Sequence, residues 1–376
     1  MSPEILHPSP EIIARVPKVL LHEHLDGGVR PATVLQLAAE AGYGELPESE
    51  PGALGRWFNE GAARGSLAQY LEGFRHTIAV MQTPEALERV AYEALEDLAG
   101  ENVVYAELRF APHFHTAAGL GLDAVMVAVL NGLTRGREAH GIGFGLIVCA
   151  MRNEPEELSI KLAELAIAYR EQGCVGFDLA GEEAGHPANH HLRAFQLAKR
   201  MNFAITIHAG ESFGPESIWQ ALQYCGAHRV GHGVRLIEDV VTYEGKVIKV
   251  GSLAQYLLDH RVPLEICLSS NVHTGATPSM AEHPFPIFKE LGFRVTLNTD
   301  NRLMSNTSMT GEYRVAVEEF GCSLDDLEEL SINGMKSAFA HYDERCRLIY
   351  ESIKAPFAVL REELGLDPRR AYGMPK

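Results

Sequence analysis

Two histidines separated by a single residue, His22 and His24 in KVLLHEHLDGG, begin the part of this chain that can do chemistry. On a strand, side chains at i and i+2 project from one face, so both imidazoles can reach a single cation. Matching ligands recur at the ends of later apolar runs: His208 in AITIHAGE and Asp300 in VTLNTDN. Three imidazoles and one carboxylate suit a borderline-soft divalent ion, zinc first and other transition metals by the same ligands. Glu211 follows His208 by three residues in a Gly-relieved turn. A carboxyl kept protonated there by desolvation would donate a proton to a developing base, although a carboxylate just ahead of a helix starting near 215 also has a purely electrostatic explanation. His232 sits between two glycines in RVGHGV, where neighbouring groups can approach closely, and it could orient or deprotonate a metal-bound water. A rival pair, His113 and His115 in PHFH, follows Pro112, which is poorly placed inside a central strand, so these read as loop residues. Asp178 is either a partner to a ligand or a polar residue of the frame, and His7, His140, His190, His191, His260 and His283 are expected to be solvated.

Such residues need a frame that brings distant segments together. Eight short runs rich in Val, Ile, Leu and Phe alternate with segments of helical period: 18–25, 103–111, 143–150, 175–181, 204–209, 229–234, 263–269 and 293–299. Their continuous apolar character suits parallel strands buried on both faces. Eight strand-helix repeats predict an α/β fold, a closed (β/α)8 barrel, with the chemistry at the C-terminal ends of the strands. The polar residues collect there: Asp26 after the first run, Gly181, Glu182 and Glu183 after the fourth, Ser269, Ser270 and Asn271 after the seventh, Asp300 and Asn301 after the eighth. Residues 43–100 read as a helical insertion and 323–366 as terminal helices covering the barrel, all within one domain over 1–376. In the insertion Leu67, Tyr70 and Phe74 share one helical face and are most simply core.

The chain has 376 residues, with 33 Lys and Arg against 50 Asp and Glu, a formal charge of −17. No basic cluster stands out, which argues against a nucleic-acid partner. The first residues lack a basic stretch followed by an apolar one, and no window approaches about 18 apolar residues, so neither secretion nor membrane insertion is expected. Six well-separated cysteines without a CxxC point to a reducing cytoplasm and exclude the cysteine-held zinc site of cytidine deaminases.

In order, PKVLLHEHLDGGVRP, DLAGEE, IHAGES, RVGHGVRL, SSNVHTGA and LNTDN resemble the adenosine deaminase branch of the metal-dependent amidohydrolases, over roughly residues 17 to 340. The resemblance implies a barrel holding one zinc through His22, His24, His208 and Asp300. It further implies Glu211 as the acid at purine N1, His232 beside the attacking water, and His24, Asp26, Gly181 and Asn301 as substrate contacts. Gly181 would offer its N–H to N3 and Asp26 would bind a ribose hydroxyl. The implied reaction is hydrolytic deamination of adenosine and 2′-deoxyadenosine to the inosines with release of ammonia. Many relatives carry two consecutive aspartates where this chain has Asp300 and Asn301; because N7 is an acceptor, an Asn amide can serve it without a bound proton. Leu67, Tyr70 and Phe74 also align loosely with a hydrophobic lid of that family.

The nearest alternative is a deaminase of adenine or another 6-aminopurine conjugate on the same fold. A two-metal ester, lactone or amide hydrolase would want a lysine at the end of the fourth strand, where this chain offers Asp178. A binding protein without activity would lack a ligand or the acid, and none is missing.

Overall fold

The computed structural model describes residues 7–243 and 246–368. The expected domain span of 1–376 extends outside those bounds, as do the first six residues of the N-terminal stretch in which no leader is expected.

Eight parallel strands lie side by side in chain order: β1 (Lys18–His24), β2 (Val103–Phe110), β3 (Gly143–Met151), β4 (Cys174–Ala180), β5 (Ala204–Ala209), β6 (Arg229–His232), β9 (Leu264–Ile266) and β10 (Val295–Leu297). Each coincides with one of the eight apolar runs. The last strand returns to the first through a parallel bridge between Glu23 and Asp300. Two backbone bonds make that closure: the His24 N–H donates to the Asp300 carbonyl at 2.7 Å, and the Asp300 N–H donates to the His22 carbonyl at 2.9 Å. The expected α/β barrel is therefore present, sealed at the residues that carry the candidate ligands.

Two differences from expectation have physical causes, and the expected helical insertion is present. The seventh run is strand only over its first part, because Leu268–His273 turns into a short helix that carries Ser269, Ser270 and Asn271. A small antiparallel pair, β7 (Val240–Tyr243) and β8 (Lys246–Val250), is largely exposed, so it has no continuous apolar run to announce it. The insertion divides into helices at Pro51–Ala62, Leu67–Tyr70 and Phe74–Val80, followed by Pro84–Gly100, which leads into β2. The C-terminal segment begins with the helix Leu324–Ser337, started by a reciprocal capping box between Ser323 and Asp326 and packed against β1 and β10. Among the described residues no helix is long and apolar enough to cross a membrane.

The barrel interior is not simply hydrocarbon. Arg109, Arg229, Glu107, Glu265 and Asp178 are buried in it, and their mutual pairing makes this tolerable.

Candidate active site

The ends of β1, β5 and β10 bring His22, His24, His208 and Asp300 together, with one ligand atom from each lying within 4.8 Å of all the others. His24 Nε2 and His208 Nε2 are 3.1 Å apart, and Asp300 Oδ1 stands 3.2 Å from His22 Nε2 and 3.5 Å from His24 Nε2. His22 Nε2 is buried and makes no hydrogen bond. Three ring nitrogens and a carboxylate oxygen converging on one point, one of them orphaned, fit a cation with N/O preference. Burial pushes His24 down to about 3, which keeps its ring in the neutral form a metal requires. Asp300 and His232 both hold a left-handed backbone, each at φ 60°, which is uncommon outside glycine and gathers at functional sites.

Below the cluster runs an ionic network that spacing alone did not reveal. His22 Nδ1 donates to Glu265 at 2.9 Å, and His208 Nδ1 pairs with Asp178 at 3.1 Å. These bonds place the ring protons on the Nδ1 side and leave each Nε2 lone pair facing the cluster. Arg109 joins the two carboxylates, donating to Asp178 at 2.9 Å and to Glu265 at 2.8 Å. Arg229 adds a 2.6 Å bond to the other oxygen of Glu265. Burial opposes ionisation here, yet Arg109 and Arg229 hold Glu265 well below the usual carboxylate range. Asp178 is thus a partner of a ligand, and Glu265, hidden in the apolar run PLEICLS, does the same for His22.

Beside the cluster, Glu211 is buried and its carboxyl is pushed well up, first by desolvation and then by the charges of Asp300 and Glu183. A carboxyl held in that state is an acid at neutral pH. Its Oε2 lies 3.7 Å from His232 Nε2. The Asn271 side chain has its Oδ1 facing the Cys267 N–H, so its amide donates to His232 Nδ1 at 2.9 Å. That bond leaves the His232 proton on Nε2, directed toward Glu211 and the cluster. Gly231 is needed for this closeness: a Cβ there would lie 3.2 Å from the His22 ring and 3.1 Å from His208 Cα. Ser270 donates to Asp300 Oδ2 at 2.6 Å, so two polar residues of the short helix after β9, Ser270 and Asn271, serve site groups.

These groups open onto a cavity of about 330 Å³. Its polar wall includes Asp26, Gly181, Glu211 and Asn301, with Gly181 at φ +94° and the Oδ1 of Asn301 buried without a partner. Its apolar lining includes Leu67, Tyr70 and Phe74; Tyr70 is buried in the core, as expected, and Phe74 packs against it, and the same face also lines the cavity. Of the PHFH pair it is His115, not His113, that approaches the site, its Nε2 3.8 Å from Asp26. Two histidines expected to be solvated are buried: His191 bonds Ser159 and the Arg152 carbonyl, and His283 bonds Asn271 Oδ1 at 3.2 Å.

Comparison with known proteins agrees with this geometry. The family described as adenosine deaminase matches residues 17–355. The chain is 53% identical to adenosine deaminase 1 of Streptomyces coelicolor, an alignment covering 95% of this chain and 91% of that protein. It is 52% identical to the adenosine deaminase of Mycobacterium leprae, with 93% and 98% covered. Among solved structures, an adenine deaminase from Arthrobacter aurescens superposes with a TM-score of 0.81 at 26% identity, covering 90% of this chain and 98% of that one. A (β/α)8 barrel with three histidines and an aspartate converging beneath a half-apolar cavity, matched over nearly its whole length, makes this chain a member of the adenosine deaminase family.

Proposed function

We propose that this protein hydrolytically deaminates adenosine and 2′-deoxyadenosine, using one zinc ion held by His22, His24, His208 and Asp300, and that the chain works as a single catalytic domain. The observation that carries the reading is a buried Glu211, its carboxyl pushed well up by desolvation, beside a converging His3Asp cluster. When bound, the ion supplies Lewis acidity that lowers the pKa of a water from 15.7 toward ~7.

The chain's own groups do the rest. The purine lies with N1 toward Glu211, N3 toward the Gly181 N–H and N7 toward the Asn301 amide, while Asp26 takes a ribose hydroxyl. Glu211 delivers its proton to N1 as water adds to C6, which removes the ring's resistance to attack. His232, carrying its proton on Nε2, orients that water by donation. Asp300 takes the proton the water loses on attack and passes it to the departing amine, and the remaining hydroxyl proton returns to Glu211 as the C6 carbonyl forms. Ammonia leaves, and the product is an inosine. The apolar wall at Leu67, Tyr70 and Phe74 keeps bulk water from the reacting carbon.

The test is ammonia release and product identity from purified, zinc-assayed protein offered adenosine, 2′-deoxyadenosine and adenine in parallel. Conversion of both nucleosides with adenine inert supports the proposal. Faster turnover of adenine overturns it in favour of the adenine reading.

A further inference from the structure

Adjacent glutamates follow β4, and the fold treats them oppositely: Glu182 is exposed, whereas Glu183 is buried with 4% of its surface accessible. The Glu183 carboxylate accepts hydrogen bonds from four consecutive backbone N–H groups. Gly210 donates to Oε1 at 2.6 Å; Glu211, Ser212 and Phe213 donate to Oε2 at 3.0, 2.7 and 2.9 Å. Such a run of amides is an anion-binding concavity of the kind that takes phosphates, filled here by the protein's own carboxylate. Charge-assisted bonds of this type are among the strong ones. The loop they hold begins at Gly210, where a φ of +72° and a Cβ that would sit 2.5 Å from the Ile218 side chain strongly favour glycine. On its other side, Arg152 donates to the His208 carbonyl at 2.5 Å and the His186 carbonyl at 2.6 Å, tying the strand end to the segment that carries Glu183.

We propose that Glu183 is a positioning residue whose nested carboxylate fixes the 210–213 loop and so sets where the Glu211 carboxyl meets the substrate. The inference rests on Glu211 being the proton donor. No side-chain bond of Glu183 to a metal ligand or to the cavity is involved; it holds the acting residue by its backbone, and its charge also helps to keep the Glu211 carboxyl up. A glutamine cannot replace it, because its –NH2 would face amide donors and at least one of the four bonds would be lost. A misplacement on the order of 1 Å at a reacting group costs roughly 10²-fold in rate.

The experiment is a double-mutant cycle on the full-length, zinc-loaded protein with adenosine: wild type, Glu183→Gln, Glu211→Gln and the pair, each with metal content and thermal melting recorded. Glu183→Gln is expected to lower kcat by about 10²-fold, with KM and metal content little changed. In the Glu211→Gln background the same substitution is expected to cost no more than about twofold, the range within which independent effects are measured. Equal losses in both backgrounds, or loss of metal in step with activity, would overturn the proposal, since either means that Glu183 supports the fold and not the acid. Should Glu183→Gln not fold, Glu183→Asp, which keeps the charge but withdraws it from the amides, goes through the same cycle with the same expectation. If Glu211→Gln retains near-normal turnover, the acid reading itself falls; if Glu211→Gln is crippled and Glu183→Gln is silent, this inference alone fails.

Discussion

Below the His/Asp cluster the side chains are ionic and doubly anchored, whereas above the cavity residues 67–80 present mainly hydrocarbon. Arg109 touches two carboxylates and a backbone carbonyl at once. In the roof, Tyr70 bonds Ser305 at 2.9 Å, Phe74 meets the His24 ring edge-on at 6.3 Å, and Leu67 contributes hydrocarbon surface. The two regions answer different needs. A floor that aims lone pairs must be rigid, because each imidazole has one productive orientation. A roof that excludes water needs only area, and its chain changes from α-helix to a 3-10 turn at Leu71–Gly73 and back without disturbing the reacting groups.

The comparison breaks first if the floor is not holding a metal. Removing the ion with a chelator, or replacing a ligand as in His208→Ala, is expected to abolish deamination, with activity returning on zinc only in the unmutated chain; ammonia release and metal analysis read this out. Next in size, Glu211→Gln is expected to retain zinc and lose about 10²–10⁴-fold in kcat, the usual contribution of a placed acid. The raised pKa of Glu211 fixes the sign of the pH dependence: the donor is the protonated form, so kcat holds through the ordinary carboxylate range and declines on the alkaline side as the proton is lost. A rate that instead rises with pH through neutrality would contradict a Glu211 acid.

Arg109→Met sharpens the contrast from beneath. It leaves Asp178 and Glu265 buried without their shared cation, and breaking such a pair costs about 3–5 kcal/mol of stability, read by denaturant unfolding. Zinc affinity should fall about 10–100-fold as the two imidazoles lose their aim. The smallest effect is expected in the roof. Leu67→Ala removes hydrocarbon worth about 0.8 kcal/mol per buried methylene, so KM for adenosine should rise by about tenfold while kcat, melting temperature and metal content stay close to those of the parent. A roof variant that lost metal, or a floor variant that changed KM alone, would erase the distinction.

What could be read before folding follows the same division. His22, His24, His208 and Asp300 stand at the ends of apolar runs, and strand periodicity already places the first two on one face, so the convergence of these four was legible. Glu265 and Asn271 were not recognised as partners, because their meaning lies in His22 and His232 on distant strands and no local spacing records it. Glu182 and Glu183 look equivalent in sequence; only the fold of the loop after β5 tells the exposed one from the nested one. Burial of His191 and His283 was missed for the same reason, since each is satisfied by residues remote in the chain. For the roof, helical spacing found the shared face of Leu67, Tyr70 and Phe74, while what that face covers depends on how the insertion folds back over the barrel mouth.

Asp300 contributes a carboxylate to the cluster and, through its own N–H and carbonyl, the two bonds that seal β10 against β1. The ligand pocket is therefore finished by the same event that turns an open sheet into a cylinder. A chain still lacking its eighth barrel strand can display His22, His24 and His208 but has neither the fourth member of the cluster nor the closure that fixes the first two. An ion held there would act as a clasp between the beginning and the end of the barrel, stabilising the closed cylinder relative to the open sheet.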